Sequence, residues 1–343
     1  MAVTGNTTQT PAEVHREIPD AATAWWTVGP GQGEFRTEPL PGVSDGQASV
    51  RTLFTGVSRG TETLVARGEV PESERERMRA PFQAGEFPFP VKYGYLNVGT
   101  VEDGPSTVRG RTVFCLFPHQ SRYVVPADAL LAVPDAVPPR RAVLSGAVET
   151  AVNVLWDAGP LVGDRVVVVG AGMIGCAIAR VARSIPGAEV TLVDVEPARA
   201  ATAETLGVEF ALTGDEIPQA DVVIEASGAG AGLQAAVRLA PTDGEVVVAS
   251  WYGSRHVTLD LGADFHARRV AIRPSQVGAV AMRRRSSRTT RNRLALALRL
   301  LEDPAFDALL GGTSTWRELP DVTAALAAGT AGELCHTIDW SAG

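Results

Sequence analysis

The sequence is poor in the residues that cross-link a chain or hold a structural metal ion. Three cysteines, Cys115, Cys176 and Cys335, occur in 343 residues, and no C-x-x-C pair is present. The odd count and the wide spacing argue against a disulfide framework, and a structural zinc site of four cysteines is excluded by arithmetic. The five histidines are scattered, and no H-E-x-x-H motif occurs.

Long apolar runs and positive charge are also scarce. No run of about 18 apolar residues occurs, so the sequence predicts no transmembrane helix. The polar N-terminus lacks the basic and apolar stretches of a signal peptide. Lysine and arginine number 31 against 39 acidic residues, a net charge of −8, which disfavours nucleic acid and anionic membranes as partners. We expect a cytoplasmic protein that acts on a small molecule.

Two patterns of apolar residues divide the chain. From about residue 24 to residue 134, short apolar runs are cut by glycine and proline, which predicts an antiparallel, barrel-like β domain. From residue 164 onward, continuous valine and isoleucine runs alternate with helical patterns, which predicts a doubly wound parallel sheet. We expect an α/β fold with a β-rich domain over 1–148, a dinucleotide-binding domain over 149–277, and a return to the first domain over 278–343.

The strongest motif is GAGMIG, which follows an apolar strand and opens a helix. Gly170 permits a tight turn, Gly172 lets the backbone approach a pyrophosphate, and Gly175 lets helix and strand pack closely. The helix then begins at Met173 and Ile174, and its free N–H groups favour phosphate. The motif predicts a nicotinamide dinucleotide as cofactor.

The next strand ends at Asp194, 19 residues after Gly175, where a carboxylate accepts hydrogen bonds from the adenosine ribose. A carboxylate there repels a 2′-phosphate, so we expect NAD rather than NADP, although Arg199 is near enough to weaken that preference. Ligands bind at the carboxyl edge of such sheets. The expected contacts at that edge are Thr150, Ser227 and Ser250.

A β-rich domain split around such a nucleotide domain resembles the medium-chain dehydrogenase/reductase superfamily, which implies a GroES-like catalytic domain joined to a Rossmann domain. The segments at 52–63, 78–99, 113–127 and 148–160 resemble the bacteriochlorophyllide a dehydrogenase branch. That branch oxidises a hydroxyethyl group on a chlorin ring to acetyl, and the resemblance does not fix the substrate. It also implies a homodimer or tetramer.

The sequence departs from the zinc-dependent members of that superfamily at each zinc-ligand position. Ser58 stands where they have cysteine, and Tyr95 and Leu96 stand where they have His-Glu. The region of the third ligand, 144–147, offers no cysteine or carboxylate. The resemblance therefore implies a zinc-free enzyme, with a regrouped metal site of Glu62, His119 and Glu149 as the disfavoured alternative.

Without zinc, a side chain must take the hydroxyl proton of an alcohol. Tyr95 is the candidate acid/base, and Lys92, the only lysine, would either assist by lowering its pKa or bind the substrate. In an extended segment these two side chains lie on opposite faces, so contact needs a turn, which Gly94 permits. Ser58 and Glu62 are candidate relay residues, and His119 is a second candidate acid/base. For Tyr95, Lys92 and His119, a purely structural role is the alternative.

Two further features are ambiguous in the sequence. Glu149 either faces the pocket or caps a helix. Six arginines between residues 283 and 293 stand out in an acidic chain. They are read as a solvated loop and helix start, with an anionic substrate or a subunit contact as alternatives.

These features together predict a zinc-independent, NAD-dependent dehydrogenase for a secondary alcohol or ketone, as in specialised metabolism. One alternative is a zinc-free reductase of activated C=C bonds. The other is a protein that binds NAD without catalysis.

Overall fold

The structure, a computed structural model, describes residues 21–341. The N-terminal extension expected over 1–20 lies outside this range. The first part of the described chain forms these elements: β1 (Ala21–Gly29), β2 (Gln32–Pro39), β3 (Gln47–Ser58), α1 (Arg59–Arg67), β4 (Ala84–Gly85), β5 (Val91–Lys92), β6 (Asn97–Asp103), β7 (Thr112–Cys115), β8 (Arg122–Pro126), β9 (Leu131–Ala132) and α2 (Pro139–Ala142).

The remaining elements form the nucleotide-binding half and the return to the β-rich half. The nucleotide-binding half comprises α3 (Ser145–Ala158), β10 (Arg165–Val169), α4 (Met173–Arg183), β11 (Glu189–Asp194), α5 (Ala200–Leu206), β12 (Glu209–Leu212), β13 (Val222–Glu225), α6 (Gly230–Leu239), β14 (Glu245–Val248) and β15 (Ala271–Pro274). The return comprises α7 (Thr290–Leu300), β16 (Leu310–Thr315), α8 (Leu319–Ala328) and β17 (Cys335–Asp339).

The β-rich half contains two sheets. One has the strand order β2-β1-β5-β4, and the other has the order β16-β17-β3-β6-β7-β9, with β8 paired to β3. Strand β17 pairs antiparallel with β3, so the end of the described chain completes the sheet that the start of the chain begins. Inward-facing side chains such as Val50, Val101 and Val113 are fully or almost fully buried between the strands.

The nucleotide-binding half is a parallel sheet of order β12-β11-β10-β13-β14-β15, with helices on both faces. This is the strand order of a Rossmann fold. Val166 and Val168 point to one face and Val167 and Val169 to the other, and all four are buried because both faces are covered. The predicted α/β fold class is confirmed.

Seven elements do not follow from the sequence pattern. The sequence-based prediction lacks the helix α8 and the strands β2, β4, β5, β9, β12 and β16. The missed strands are short or half-exposed. In β2, which is a charged segment, exposed and half-buried side chains alternate. Such edge strands lack the apolar run that marks a buried strand. The sheet partners supply the remaining stabilisation.

Helix α3 links the two halves through a buried polar ladder. Glu149, Asn153 and Asp157 lie four residues apart on one face of the helix, and all three are buried. Asn153 accepts a hydrogen bond from the Ala281 amide at 2.9 Å, and Asp157 accepts one from the Ser275 hydroxyl at 2.6 Å. Each step of the ladder therefore ties α3 to the segment that follows β15.

Arg293, on α7, completes the ladder and corrects the interpretation of the arginine-rich segment. Its side chain is 1% exposed, and its guanidinium donates to Glu149 Oε1 at 3.0 Å and also to Asn153. Arg291 donates to the carbonyls of Asp128 and Leu130. The segment is thus solvated only in part, and Glu149 is an ion-pair partner rather than a helix cap.

Replacing Arg293 with alanine tests the importance of this ladder. The Arg293→Ala variant leaves the buried Glu149 carboxylate without its counter-ion, so we expect the free energy of unfolding to fall by about 3–5 kcal/mol. Urea unfolding measures this change. Arg288→Ala, at an exposed position in the same segment, is the control and should lose less than about 0.5 kcal/mol. Equal losses would show that the ladder carries no special weight.

Candidate functional site

The glycine-rich turn after β10 has the geometry that the motif predicts. Gly170 has a φ of +109°, and a Cβ there would lie 2.5 Å from the Ser227 amide nitrogen. A Cβ on Gly175 would lie 1.8 Å from the Gly170 carbonyl oxygen, so only glycine fits between helix and strand. A Cβ on Gly172 would meet no atom within 4 Å, which leaves space for a ligand above the turn.

Helix α4 starts at Met173 directly after this turn. Its 11 residues present unpaired backbone N–H groups at the N-terminus, and the helix dipole adds a partial positive charge there. Met173 is buried and Ile174 packs on the core, so their side chains anchor the helix rather than reach outward. The backbone of this turn, not its side chains, is therefore the part that could hold a phosphate.

Asp194 lies beside the turn at the end of β11. Its carboxylate accepts hydrogen bonds from the Ala171 amide at 2.6 Å and from the Glu196 amide at 3.0 Å. Arg199 donates to the Gly332 carbonyl at 3.0 Å, so its guanidinium is held by the loop before β17. The turn and the carboxylate are thus linked directly, as expected for a nucleotide site.

Arg59 is a member of this site that the sequence analysis missed. Burial first, and then the nearby charge of Arg199, lowers the pKa of the Arg59 guanidinium, while Asp194 opposes the change. Two guanidinium groups and one carboxylate therefore share this part of the site. No local signal marks Arg59, because its neighbours in space are distant in sequence.

Ser227 and Ser250 lie at the carboxyl edge of the parallel sheet, where they shape a loop. The Ser227 amide and hydroxyl both donate to Glu225 at 2.6 Å, and Ser250 accepts from the Gly228 amide at 2.8 Å. Tyr252 donates to the other Glu225 oxygen at 2.9 Å, and burial raises the pKa of its phenol well above the usual value. The buried carboxylate of Glu225, missed from the sequence, therefore fixes this edge.

Thr150 lies on α3 with its hydroxyl bonded to the Gly146 carbonyl at 2.9 Å. This is a bond to the preceding turn of the same helix, which satisfies the hydroxyl within α3. The Thr150 hydroxyl therefore already has a hydrogen-bond partner within its own helix.

Tyr95 meets Ser58 and Thr61 in the β-rich half. Its ring lies against α3, where a Cβ added to Gly146 would be 3.8 Å from the ring. Burial first, and then the charge of Glu62, raises the pKa of Tyr95 to about 12, while hydrogen bonds with the Ser58 and Thr61 side chains oppose this. The phenol is therefore protonated at neutral pH.

Glu62 and His119 form a buried pair behind Tyr95. Glu62 accepts a hydrogen bond from the Ser58 amide at 2.7 Å, and its other oxygen lies 3.0 Å from His119 Nε2. His119 Nδ1 lies 2.7 Å from the Thr55 hydroxyl, which also accepts from Trp340 Nε1 at 3.0 Å. An ionised carboxylate only accepts, so we assign the imidazole proton to His119 Nε2, facing Glu62, and the Thr55 hydroxyl then donates to Nδ1.

A small cavity adjoins this pair. Its volume is about 20 Å³, and Thr27, Glu62, His119 and Thr323 contribute polar groups to its wall. That is room for one water molecule among several hydrogen-bonding partners. Gly94 has a φ of +122°, and a Cβ there would lie 2.9 Å from the His119 ring. The absence of a side chain at Gly94 therefore leaves room for the His119 ring.

Lys92 belongs to a different group, which corrects the expectation that it assists Tyr95. Its ammonium donates to Glu38 at 2.6 Å and to Gln120 at 2.7 Å, and the residue is 6% exposed. The pKa of Tyr95 is raised, whereas a neighbouring ammonium would lower it. Lys92 therefore has a structural role, because its contact with Glu38 links β5 to β2.

The described residues contain neither a cluster of metal ligands nor a helix that could span a membrane. Over 21–341, no group of three or more histidine, cysteine, aspartate or glutamate side chains is arranged to hold a metal. Glu62 and His119 pair with each other, whereas Glu149 pairs with Arg293, so the three do not regroup. Within the same range, no helix is long and apolar enough to cross a membrane.

Sequence comparisons match parts of the chain. Residues 173–298 match the model of a family described as Zinc-binding dehydrogenase. Over 103 residues the chain is 37% identical to an L-threonine 3-dehydrogenase of Chelativorans sp. (strain BNC1). That alignment covers 29% of this chain and spans only 28% of the relative's own length.

Solved structures match nearly the whole chain. A short chain alcohol dehydrogenase from E. coli CFT073, complexed with NADH, covers 94% of this chain and 100% of its own, with a TM-score of 0.74 and 17% identity. A protein described as a zinc-binding dehydrogenase from Sinorhizobium meliloti 1021, bound to NADP, gives 94%, 100%, 0.73 and 18% for the same measures. Acetophenone reductase from Geotrichum candidum NBRC 4597, in complex with NAD, gives 95%, 100%, 0.75 and 18%. At these identities the likeness shows the fold, a GroES-like domain with a Rossmann domain.

Gly172 and Gly175, two positions of the glycine turn, provide a matched test. We expect Gly175→Ala to lower the free energy of unfolding by roughly 1–3 kcal/mol, because its Cβ would overlap the Gly170 carbonyl. Gly172→Ala meets open space and should change it by less than about 0.5 kcal/mol. Urea unfolding of both variants measures this difference, and a stable Gly175→Ala protein would contradict the close packing.

Proposed function

We propose that this protein is a nicotinamide-dependent oxidoreductase that transfers a hydride between NAD and a secondary alcohol or its ketone, without zinc. The observation that carries the proposal is the position of Tyr95. Its phenol is protonated, contacts Ser58 and Thr61, and lies against the first turn of α3, the helix that leads into the nucleotide-binding half.

The residues of the second half fit a dinucleotide. The glycine turn leaves space above Gly172, the α4 N-terminus favours phosphate, and Asp194 lies where an adenosine ribose is bound in this fold. Arg59 and Arg199 add positive charge beside Asp194. The nicotinamide, when bound, supplies or accepts the hydride.

The residues around Tyr95 do not fit zinc. A catalytic zinc ion takes three protein ligands from cysteine, histidine, aspartate or glutamate. The positions that meet there are Ser58, Tyr95 and Gly146. The first two offer only hydroxyl groups, and the glycine has no side chain. We therefore assign the handling of the substrate oxygen to Tyr95.

The surroundings of Tyr95 set the protonation state of its phenol. Burial and the Glu62 charge keep the phenol protonated, which is the form that can transfer a proton to a ketone oxygen during reduction. In the oxidative direction, the same oxygen accepts the proton of the alcohol. Ser58 and Thr61 orient the phenol, and His119 holds the Glu62 carboxylate in place.

The substrate belongs to the secondary alcohols or ketones of specialised metabolism. The resemblance of four segments to a chlorin-oxidising branch makes a hydroxyethyl group on a flat ring the first compound to assay.

The Tyr95→Phe variant tests the acid/base assignment. We expect turnover to fall by about 10²–10⁴-fold, because the proton donor is lost, while the Kd for NADH is unchanged. Steady-state ketone reduction and a calorimetric NADH titration measure the two quantities. Tyr93→Phe, on the neighbouring buried tyrosine, is the control and should retain turnover.

The pH profile gives a second measurement of the same assignment. With a pKa of about 12, the phenolate fraction of Tyr95 rises about tenfold for each pH unit below that value. Alcohol oxidation should therefore accelerate up to pH 10 without a plateau, and ketone reduction should stay level. A plateau near pH 7, or full activity in Tyr95→Phe, would assign the proton to another group.

The cofactor preference is tested at Asp194. We expect NADH to bind at least about tenfold more tightly than NADPH, because the carboxylate repels a 2′-phosphate. Asp194→Asn should narrow that ratio, and Asp135→Asn, at an exposed position between β9 and α2, should not. Calorimetric titrations of the three metal-stripped proteins with NADH and NADPH give the six dissociation constants.

A preference for NADPH would contradict the NAD assignment and would favour the alternative reductase of C=C bonds. Arg59 and Arg199 would then be the phosphate-binding groups. Binding of neither nucleotide would contradict the proposed function itself.

A further inference from the structure

A second cavity lies outside the site around Tyr95. Its volume is about 220 Å³, and it lies between α3, α7, β9 and Leu116, the residue that follows β7. An apolar cavity of roughly 150 Å³ is large enough for benzene. The residues that surround the Tyr95 phenol and the glycine turn are not among those that line it.

The floor and the rim of this cavity differ in character. Leu131 and Leu294 are buried in the floor, beside the half-buried Leu116. Phe82, which is 39% exposed, and Arg291 stand at the rim. The cavity is therefore reachable from solvent, and an apolar group that enters it leaves water.

Glu149 is the ionisable group that lines the floor, and it is 6% exposed. Arg293 binds Oε1, the only Glu149 side-chain oxygen that accepts a hydrogen bond from the described residues. The second oxygen, Oε2, retains free lone pairs in an otherwise apolar floor. A carboxylate oxygen in such a place gains from a donor that a ligand brings.

The charge balance selects the class of that donor. Arg293 already neutralises Glu149, so a second cation would place two positive charges on one carboxylate. A ligand anion would face the Glu149 carboxylate directly. The exposed rim residues Asp128 and Arg291 carry one charge of each sign and cancel, so they favour neither a cation nor an anion. An uncharged hydroxyl satisfies Oε2 without changing the net charge of the buried pair.

We propose that this cavity binds an uncharged, ring-sized apolar molecule that donates one hydroxyl group to Glu149. The ring contacts Leu116, Leu131 and Leu294, and the hydroxyl points to Oε2. Because α3 carries both Glu149 and the Gly146 that lies against Tyr95, the bound ligand lies one helical turn from the ring of Tyr95.

Cyclohexanol is the probe for this site, and the full-length protein without nucleotide is the sample. An NMR titration that follows the methyl groups of Leu116, Leu131 and Leu294 should show saturable shifts at these three residues. Cyclohexyl methyl ether, which keeps the ring and loses the donor, should bind about tenfold more weakly. Protonated cyclohexylamine should also bind more weakly than cyclohexanol.

Two variants locate the binding. Ala129→Leu fills the cavity from its rim and should abolish the shifts, whereas Ala328→Leu, on the exposed end of α8, should leave the Kd unchanged. Equal binding of the ether, tighter binding of the amine, or an unchanged Kd in a folded Ala129→Leu protein would each overturn the proposal. The ligand series on the unmodified protein decides the question even if Ala129→Leu fails to fold.

Discussion

The buried ion pair between Glu149 and Arg293 is the constraint on which the junction of the two halves depends. Two charges inside a core are stable only when they are paired and fully hydrogen-bonded. Asn153 and the carbonyls of Val277 and Ala279 complete that requirement for the guanidinium. This pairing ties α3, the helix whose first turn lies against Tyr95, to α7.

A second constraint is electrostatic and acts at Tyr95. A carboxylate and a phenol are close neighbours in a nearly dry environment, and only one of them can carry negative charge at low cost. Glu62 has hydrogen-bond donors in the Ser58 amide and His119, so the charge resides there. The phenol consequently keeps its proton, which is the state that a donor needs before a ketone arrives.

The parts that the sequence predicts well are those encoded by neighbouring residues. Gly170, Gly175 and Asp194 follow one strand–turn–helix–strand pattern, and their geometry agrees with it. Long-range pairs gave no such signal. Lys92 finds Glu38 and Gln120 at separations of 54 and 28 residues, and Arg293 finds Glu149 at a separation of 144. The expectation for Lys92 was wrong because a single sequence shows a charge and not its partner. Arg59 was missed for the same reason.

The hydrogen-bond chain from Trp340 through Thr55 and His119 to Glu62 has a fixed polarity. Proton conduction along such a chain requires every member to reverse from donor to acceptor, and an indole nitrogen has no lone pair with which to accept. This hydrogen-bond chain therefore cannot conduct a proton out through Trp340. A proton lost by the phenol therefore does not leave through Trp340, and the hydroxyl groups of Ser58 and Thr61 are the other polar neighbours of Tyr95.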